Sequence, residues 1–246
     1  MTWSQRTLYS FDCETTGTDV RRDRLVTATV AKIEGGRHVD SRSWLVDPGV
    51  EIPERATDVH GITTQHAREH GKDPATEVPD IARIVAGVLH SGHPLVVFNA
   101  AYDLSLLEAE LLRHGLPPLT ARVPSSRWHT VIDPMVICRG IDMEQKSFAK
   151  GRKYRLPDLC VRYGVEFTES HDATADAVGA GLLAIAILDT EPLVSGLGPD
   201  ALFATQQTWR AADQRGFREW GARQRTTRDF EDIDDGWPLH SSLTRG

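Results

Sequence analysis

The spacing of apolar positions changes character along the chain, and that change predicts its layout. Leu8, Tyr9 and Phe11 mark a short buried strand over residues 7–13, and Leu25, Val26, Ala28, Val30 and Ile33 mark another over 24–33. Gly35-Gly36 signals a tight turn into a third strand, 38–46, closed by Asp47-Pro48-Gly49. The opening therefore reads as a three-strand meander. After it the period lengthens. Residues 62–70 and 78–89 carry helical spacing, the second through Val78, Ile81, Ile84, Val85 and Val88.

Leu95 to Phe98 is a compact apolar strand that runs with almost no loop into a helix over 101–114, whose Leu104, Leu107, Leu111 and Leu112 share a face. Residues between such a strand and helix lie at the carboxyl end of a strand, where open α/β sheets bind ligands. A fifth strand is expected at 130–133, with helices at 135–139, 156–163 and 173–188. Three strands followed by mixed α and β predict an α/β fold, a mixed sheet flanked by helices. Ser195-Gly196-Leu197-Gly198-Pro199 reads as a linker, and 200–225 as a helix carrying Leu202, Phe203, Gln206, Trp209, Ala212, Phe217 and Trp220. So aromatic a segment is expected to pack on the body, with docking of another protein as the alternative. The expected division is a body over 1–190 and a C-terminal helical extension over 191–246. The acidic stretch 229–235 is expected to be an exposed loop.

With 246 residues, 40% hydrophobic, 26% charged and 7% aromatic, the composition excludes collagenous, disulfide-scaffold and wholly disordered classes. No uninterrupted apolar run reaches the roughly 18 residues of a membrane span, and the N-terminus lacks the layout of a secretory signal. A cytoplasmic protein without a membrane partner is expected. Cys13, Cys138 and Cys160 form no C-x-x-C pair, so neither a disulfide framework nor a thiolate zinc site is indicated. The net charge of −7 argues at first against a nucleic-acid partner. That inference weakens if carboxylates serve a divalent metal. Lys146, Lys150, Arg152, Lys153 and Arg155 also form a dense basic stretch, either a solvated loop or a cradle for phosphates, with Tyr154 inside it as a stacking candidate.

The most informative segment is Phe11-Asp12-Cys13-Glu14-Thr15-Thr16-Gly17. Alternate residues of a strand face the same way, so the Asp12 and Glu14 carboxylates stand side by side. They make sense with a hard cation such as Mg²⁺ between them; the alternative is an edge strand with two solvated acids. Asp103 falls in the first turn of the helix after the central strand, and Asp176 in the first turn of the closing helix. Asp103 alone reads equally as an acid favoured by the helix dipole. His171 stands five residues before Asp176, where an imidazole can lean over a site; alone it reads more often as a surface residue, and its company favours the site.

Together these residues resemble the DEDD-type 3′–5′ exonucleases, in the histidine-bearing branch that includes the epsilon proofreading subunit of bacterial replicative DNA polymerase. D-x-E-T-T-G matches residues 12–17, N-x-x-[FY]-D-x-x-x-L matches 99–107 and H-x-A-x-x-D-A matches 171–177. Ile52-Pro53 and Val59-His60-Gly61-Ile62-Thr63 look like the family's loop between the meander and the first helix, and 156–164 is similar to its usual helix before the third motif. The resemblance covers about residues 7–190 and implies an RNase H-like sheet, an antiparallel meander plus parallel strands.

The chemistry it implies is two-metal phosphodiester hydrolysis with Mg²⁺ or Mn²⁺. Asp12, Glu14 and Asp176 would hold one ion, Asp12 would bridge to a second, Asp103 would support the pair, and His171 would act as general base. Thr15, Thr16, His60, Ile62, Asn99 and Tyr102 would contact the substrate. Cys13 at the variable position and Tyr102, where Phe is common, remove no ligand. The implied substrate is the 3′ end of DNA, single-stranded or frayed, with release of nucleoside 5′-monophosphates in proofreading or repair. RNA is the alternative substrate. A third reading is a non-catalytic module that docks a DNA polymerase or repair partner through the C-terminal extension.

Overall fold

The computed structural model describes residues 2–147, 153–167, 172–223, 234 and 236–244. Strands β1 (Thr7–Thr15), β2 (Leu25–Glu34) and β3 (Arg37–Leu45) form the antiparallel meander. Gly35 and Gly36 make the β2–β3 turn at φ of 61° and 72°, a left-handed conformation that costs a glycine little. Two short strands, β4 (Leu95–Val96) and β5 (Val131–Ile132), add in parallel on the other side of β1, giving the order β3-β2-β1-β4-β5. This is the expected mixed sheet.

The helices are α1 (Glu54–His60), α2 (Thr64–His70), α3 (Pro74–Ser91), α4 (Ala100–Arg113), α5 (Leu119–Arg122), α6 (Pro134–Glu144), α7 (Leu156–Arg162), α8 (Ala173–Thr190), α9 (Pro199–Ala222) and α10 (Ser241–Thr244). Where the spacing predicts one helix over 62–70 after a loop, the structure has two, α1 and α2, separated by Gly61 at φ 75°. Only Ala56 of α1 is buried, so no apolar period announces that helix. α2 begins at Thr64 because the Thr63 side chain caps it, accepting from His66 N–H at 3.1 Å. α3 starts four residues before the expected 78, with Asp73 as its cap. Of the acidic stretch 229–235 only Asp234 lies within the described residues.

α8 crosses the face of β1 and β2 at close range. Ala177, Ala180, Gly181 and Ala184 are all buried, and a side-chain carbon at Gly181 would meet Ile33 Cδ1 at 2.1 Å. Among the described residues α8 alone is long and apolar enough to cross a membrane, yet 56% of it is buried inside the protein as a core helix.

α9 packs on α6, where Trp209 lies over Gly140 so tightly that a methyl there would meet Trp209 Cδ2 at 2.0 Å. Gln206 of α9 is fully buried at the free edge of β5. Its Oε1 accepts from Asp133 N–H at 2.7 Å and its Nε2 donates to the Val131 carbonyl at 3.1 Å. Farther on, Trp237 packs on Phe203 and His240 N–H donates to Ser105 Oγ of α4 at 2.7 Å.

Replacing Gln206 by Leu strands one backbone donor and one acceptor in the core. The expected loss is roughly 2–4 kcal/mol. Urea unfolding reads it as a lower midpoint at unchanged slope, and an unchanged midpoint would refute the role given to this amide.

Candidate active site

β1 is the central strand, but β4 pairs with it only at Tyr9 and Ser10. Beyond Ser10 that side of β1 has no strand partner among the described residues, and the start of α4 fills the gap. Asp103 Oδ1 accepts from the Cys13 backbone N–H at 3.1 Å, where a neighbouring strand's carbonyl would otherwise sit, and also from Cys13 Sγ at 3.1 Å. The turn that launches α4 is set by Asn99 in the left-handed region, at φ 63°. Asp133, at the end of β5, holds it there. Its carboxylate accepts from the N–H groups of Asn99 at 3.1 Å and Ala100 at 2.9 Å, besides Met135, Val136 and the Trp237 indole.

Asp12 and Glu14 project from the β1 face covered by α8, and Asp176 reaches them from the first turn of α8. One oxygen of each of these three carboxylates lies within 4.8 Å of the others. Asp103 joins them in lining a cavity of about 380 Å³, with Asn99 and Tyr154 also on its wall. The electrostatic cost is plain. Burial, then Asp103, Glu14 and Asp176, push the Asp12 carboxyl well above the ordinary range. Burial and then Asp176 raise Glu14 to about 8. Burial raises Asp103 to about 7, against the lowering effect of its Cys13 hydrogen bonds. A cluster of anions held this close fits a hard divalent cation with oxygen ligands, as Mg²⁺ and Mn²⁺ are. Asp172, the α8 cap, adds to the repulsion on Asp12 and Glu14. His171 lies outside the described residues.

A second cavity, about 330 Å³, adjoins the first across Glu14, Val59 and Tyr102 and is lined further by Thr15, Arg55 and His60. Tyr102 and Thr15 hydroxyls lie 2.7 Å apart, and both reach the Gly17 carbonyl, so together they fix the loop after β1. His60 Nδ1 accepts from Ile62 N–H at 3.1 Å, which leaves Nε2 to carry the proton of the neutral ring. Burial lowers its pKa and favours that neutral form.

Two of the expected contacts face elsewhere. The Thr16 hydroxyl donates to Asp23 Oδ1 and accepts from Arg24 N–H, both at 3.0 Å, inside the loop. Ile62 packs against the small apolar cluster of Val26, Ile52, Ala56 and Ala67. Neither lines these two cavities. Arg55 and Val59 do; the sequence reading missed Arg55 and put Val59 on a loop because both ride on α1, the helix without an apolar period. Pro53 followed by Glu54 was the available signal, a helix start with an acid in its first turn.

A family model described as Exonuclease (RNase_T) matches residues 10–181, a span that holds all four acids. The chain belongs to this exonuclease family, and is a hydrolase of that kind. Among curated proteins this exonuclease is similar to the PolC-type DNA polymerase III of Streptococcus mutans, 28% identical over 183 residues, which cover 74% of this chain and 11% of that protein. The enzyme of the same description from Lactococcus lactis is 26% identical over 186 residues, 75% of this chain and 10% of that one. The chain thus spans about a tenth of the length of these relatives. Among solved structures, exonuclease I aligns with a TM-score of 0.62 at 19% identity over 87% of this chain and 46% of that one. A zinc-bound complex of E. coli ExoI with single-stranded DNA aligns at 0.63, 19% identity, 85% and 44%. These likenesses establish the fold, the mixed five-stranded sheet with helices.

The raised carboxyls carry a definite pH dependence. Because Glu14 titrates near 8 when folded against an ordinary 4.5, the metal-free folded state holds protons that the unfolded chain has released between those values. Stability of the metal-free exonuclease is therefore expected to fall as pH rises from about 4.5 to 8, and Mg²⁺ or Mn²⁺ to restore it at the upper end. Thermal melts across that range with chelator and with metal test this. A metal-free melting temperature that climbs through the window would contradict the crowding of these acids.

Proposed function

We propose that the protein is a metal-dependent 3′–5′ exonuclease that removes nucleoside 5′-monophosphates from the 3′ ends of DNA, single-stranded or frayed. The observation that carries this reading is the convergence of Asp12, Glu14, Asp103 and Asp176 on one cavity of an exonuclease-family fold. DNA is favoured because the PolC-type relatives are DNA polymerases and the ExoI structure holds single-stranded DNA. A cytoplasmic setting beside replication or repair belongs to the same proposal.

Asp12, Glu14 and Asp176 would hold the first cation, Asp12 would share a second, and Asp103 would brace both from its anchorage on Cys13. When bound, the ions supply Lewis-acid stabilisation of charge on the attacking and leaving oxygens. His171, one residue before the α8 cap Asp172, takes the proton of the attacking water, a task suited to an imidazole near neutral pH. The adjoining cavity receives the terminal nucleoside between Val59 and Tyr102, with His60 on its wall. Asn99 borders the scissile phosphate from the α4 turn.

The purified protein with Mg²⁺ or Mn²⁺ should shorten a 5′-labelled oligonucleotide one nucleotide at a time from its 3′ end. Asp12→Asn should cost at least ~100-fold in rate, the scale of other large electrostatic contributions to catalysis. Full activity in that variant would end the assignment. Matched DNA and RNA ladders decide the sugar, and faster digestion of RNA would replace the DNA reading.

A further inference from the structure

The family match ends at residue 181, yet a helix beyond it reaches the wall of the acidic cavity through one intermediary. Tyr154 lines that cavity and is held at two points. Its hydroxyl donates to Asp142 Oδ2 at 2.7 Å, and the buried Asp142 is itself fixed by Ser147 and by two guanidinium nitrogens of Arg162 at 3.0 and 3.1 Å. Its ring carries the Arg139 guanidinium, 4.8 Å from the ring centroid. Arg139 of α6 is in turn forked onto Asp213 of α9, Nε to Oδ2 at 2.9 Å and Nη2 to Oδ1 at 2.7 Å. Both partners are largely shielded, at 30% and 13% side-chain exposure.

A bidentate Arg–carboxylate pair fixes the plane of the guanidinium as well as its position. The planar cation then fixes the ring it lies on. Asp213 thus has an unbroken path of contacts to an aromatic side chain at the acidic cavity, and Arg155, forked onto Asp158, lines the same cavity. An aromatic surface next to a cation is the combination by which proteins hold single-stranded nucleic acid. Tyr154 does not line the adjoining cavity assigned above to the terminal nucleoside. A base against it belongs to a nucleotide farther along the strand.

We propose that α9 takes part in strand binding: Asp213, acting through Arg139, holds Tyr154 as the stacking surface for the base of the nucleotide on the 5′ side of the scissile phosphate. This rests on the exonuclease reading. Tyr154 is the binding residue, while Arg139 and Asp213 are positioning residues that touch no substrate.

Two substrates separate the two ideas in the full-length protein with Mg²⁺ or Mn²⁺. The p-nitrophenyl ester of thymidine 5′-monophosphate offers only the terminal nucleotide, whereas a labelled single-stranded oligonucleotide reaches Tyr154. Tyr154→Leu should raise KM for the oligonucleotide roughly 10-fold or more. Asp213→Asn should raise it about 3- to 10-fold and leave turnover of the ester within about 2-fold of wild type, which also shows that the variant is folded. The double variant should be no worse than Tyr154→Leu alone, because both act on one contact. Additive losses, equal losses on both substrates, or an unchanged oligonucleotide KM would each overturn the proposal. If the wild type hydrolyses neither substrate, the exonuclease reading itself fails and this one falls with it.

Discussion

Four carboxylates forced toward one another in a partly dry cavity are the constraint around which the molecule is built. No arrangement of the surrounding backbone makes Asp12, Glu14, Asp103 and Asp176 attractive to one another, so their positions must be imposed by the scaffold. The scaffold does this from three directions. A central strand supplies two acids on one face, and the first turns of two helices supply the others. Raised proton affinity records burial first at Asp12, Glu14 and Asp103 and, at Asp12 and Glu14, the repulsion that remains, and the same feature suits the site to a doubly charged ion.

The decisive local event is the early end of β4. Had that strand continued along β1, its backbone would occupy the place of Asp103 and the N–H of Cys13 would be tied into the sheet. Instead the chain leaves the sheet through Asn99 in a left-handed turn, and Asp133 collects the freed backbone donors. A buried carboxylate surrounded by N–H groups is costly to desolvate and well compensated once bonded. It thus serves as a rigid peg for the start of α4.

Much of this was readable in the chain itself. Alternation along β1 put Asp12 and Glu14 on one face, and the run from an apolar strand straight into a leucine-faced helix placed Asp103 at a strand's carboxyl end. Other features leave little trace in a linear pattern. α1 buries a single alanine and so shows no period, although Arg55 and Val59 border the second cavity from it. The hydroxyl of Thr16 resembles that of Thr15 in sequence, but only the fold shows it turned into its own loop. Gln206 fits the helical spacing of its apolar neighbours, and what it does depends on the backbone lying opposite, about seventy positions earlier in the chain.

Gln206 also finishes the sheet. Its side-chain amide accepts from Asp133 and donates to Val131, bracketing Ile132 as a peptide group of a parallel neighbour would. The sheet is closed at β5 by an imitation strand one amide long. A foreign peptide could add there only by evicting it, so the helix that grips the rim of the acidic cavity also seals the sheet against uninvited company.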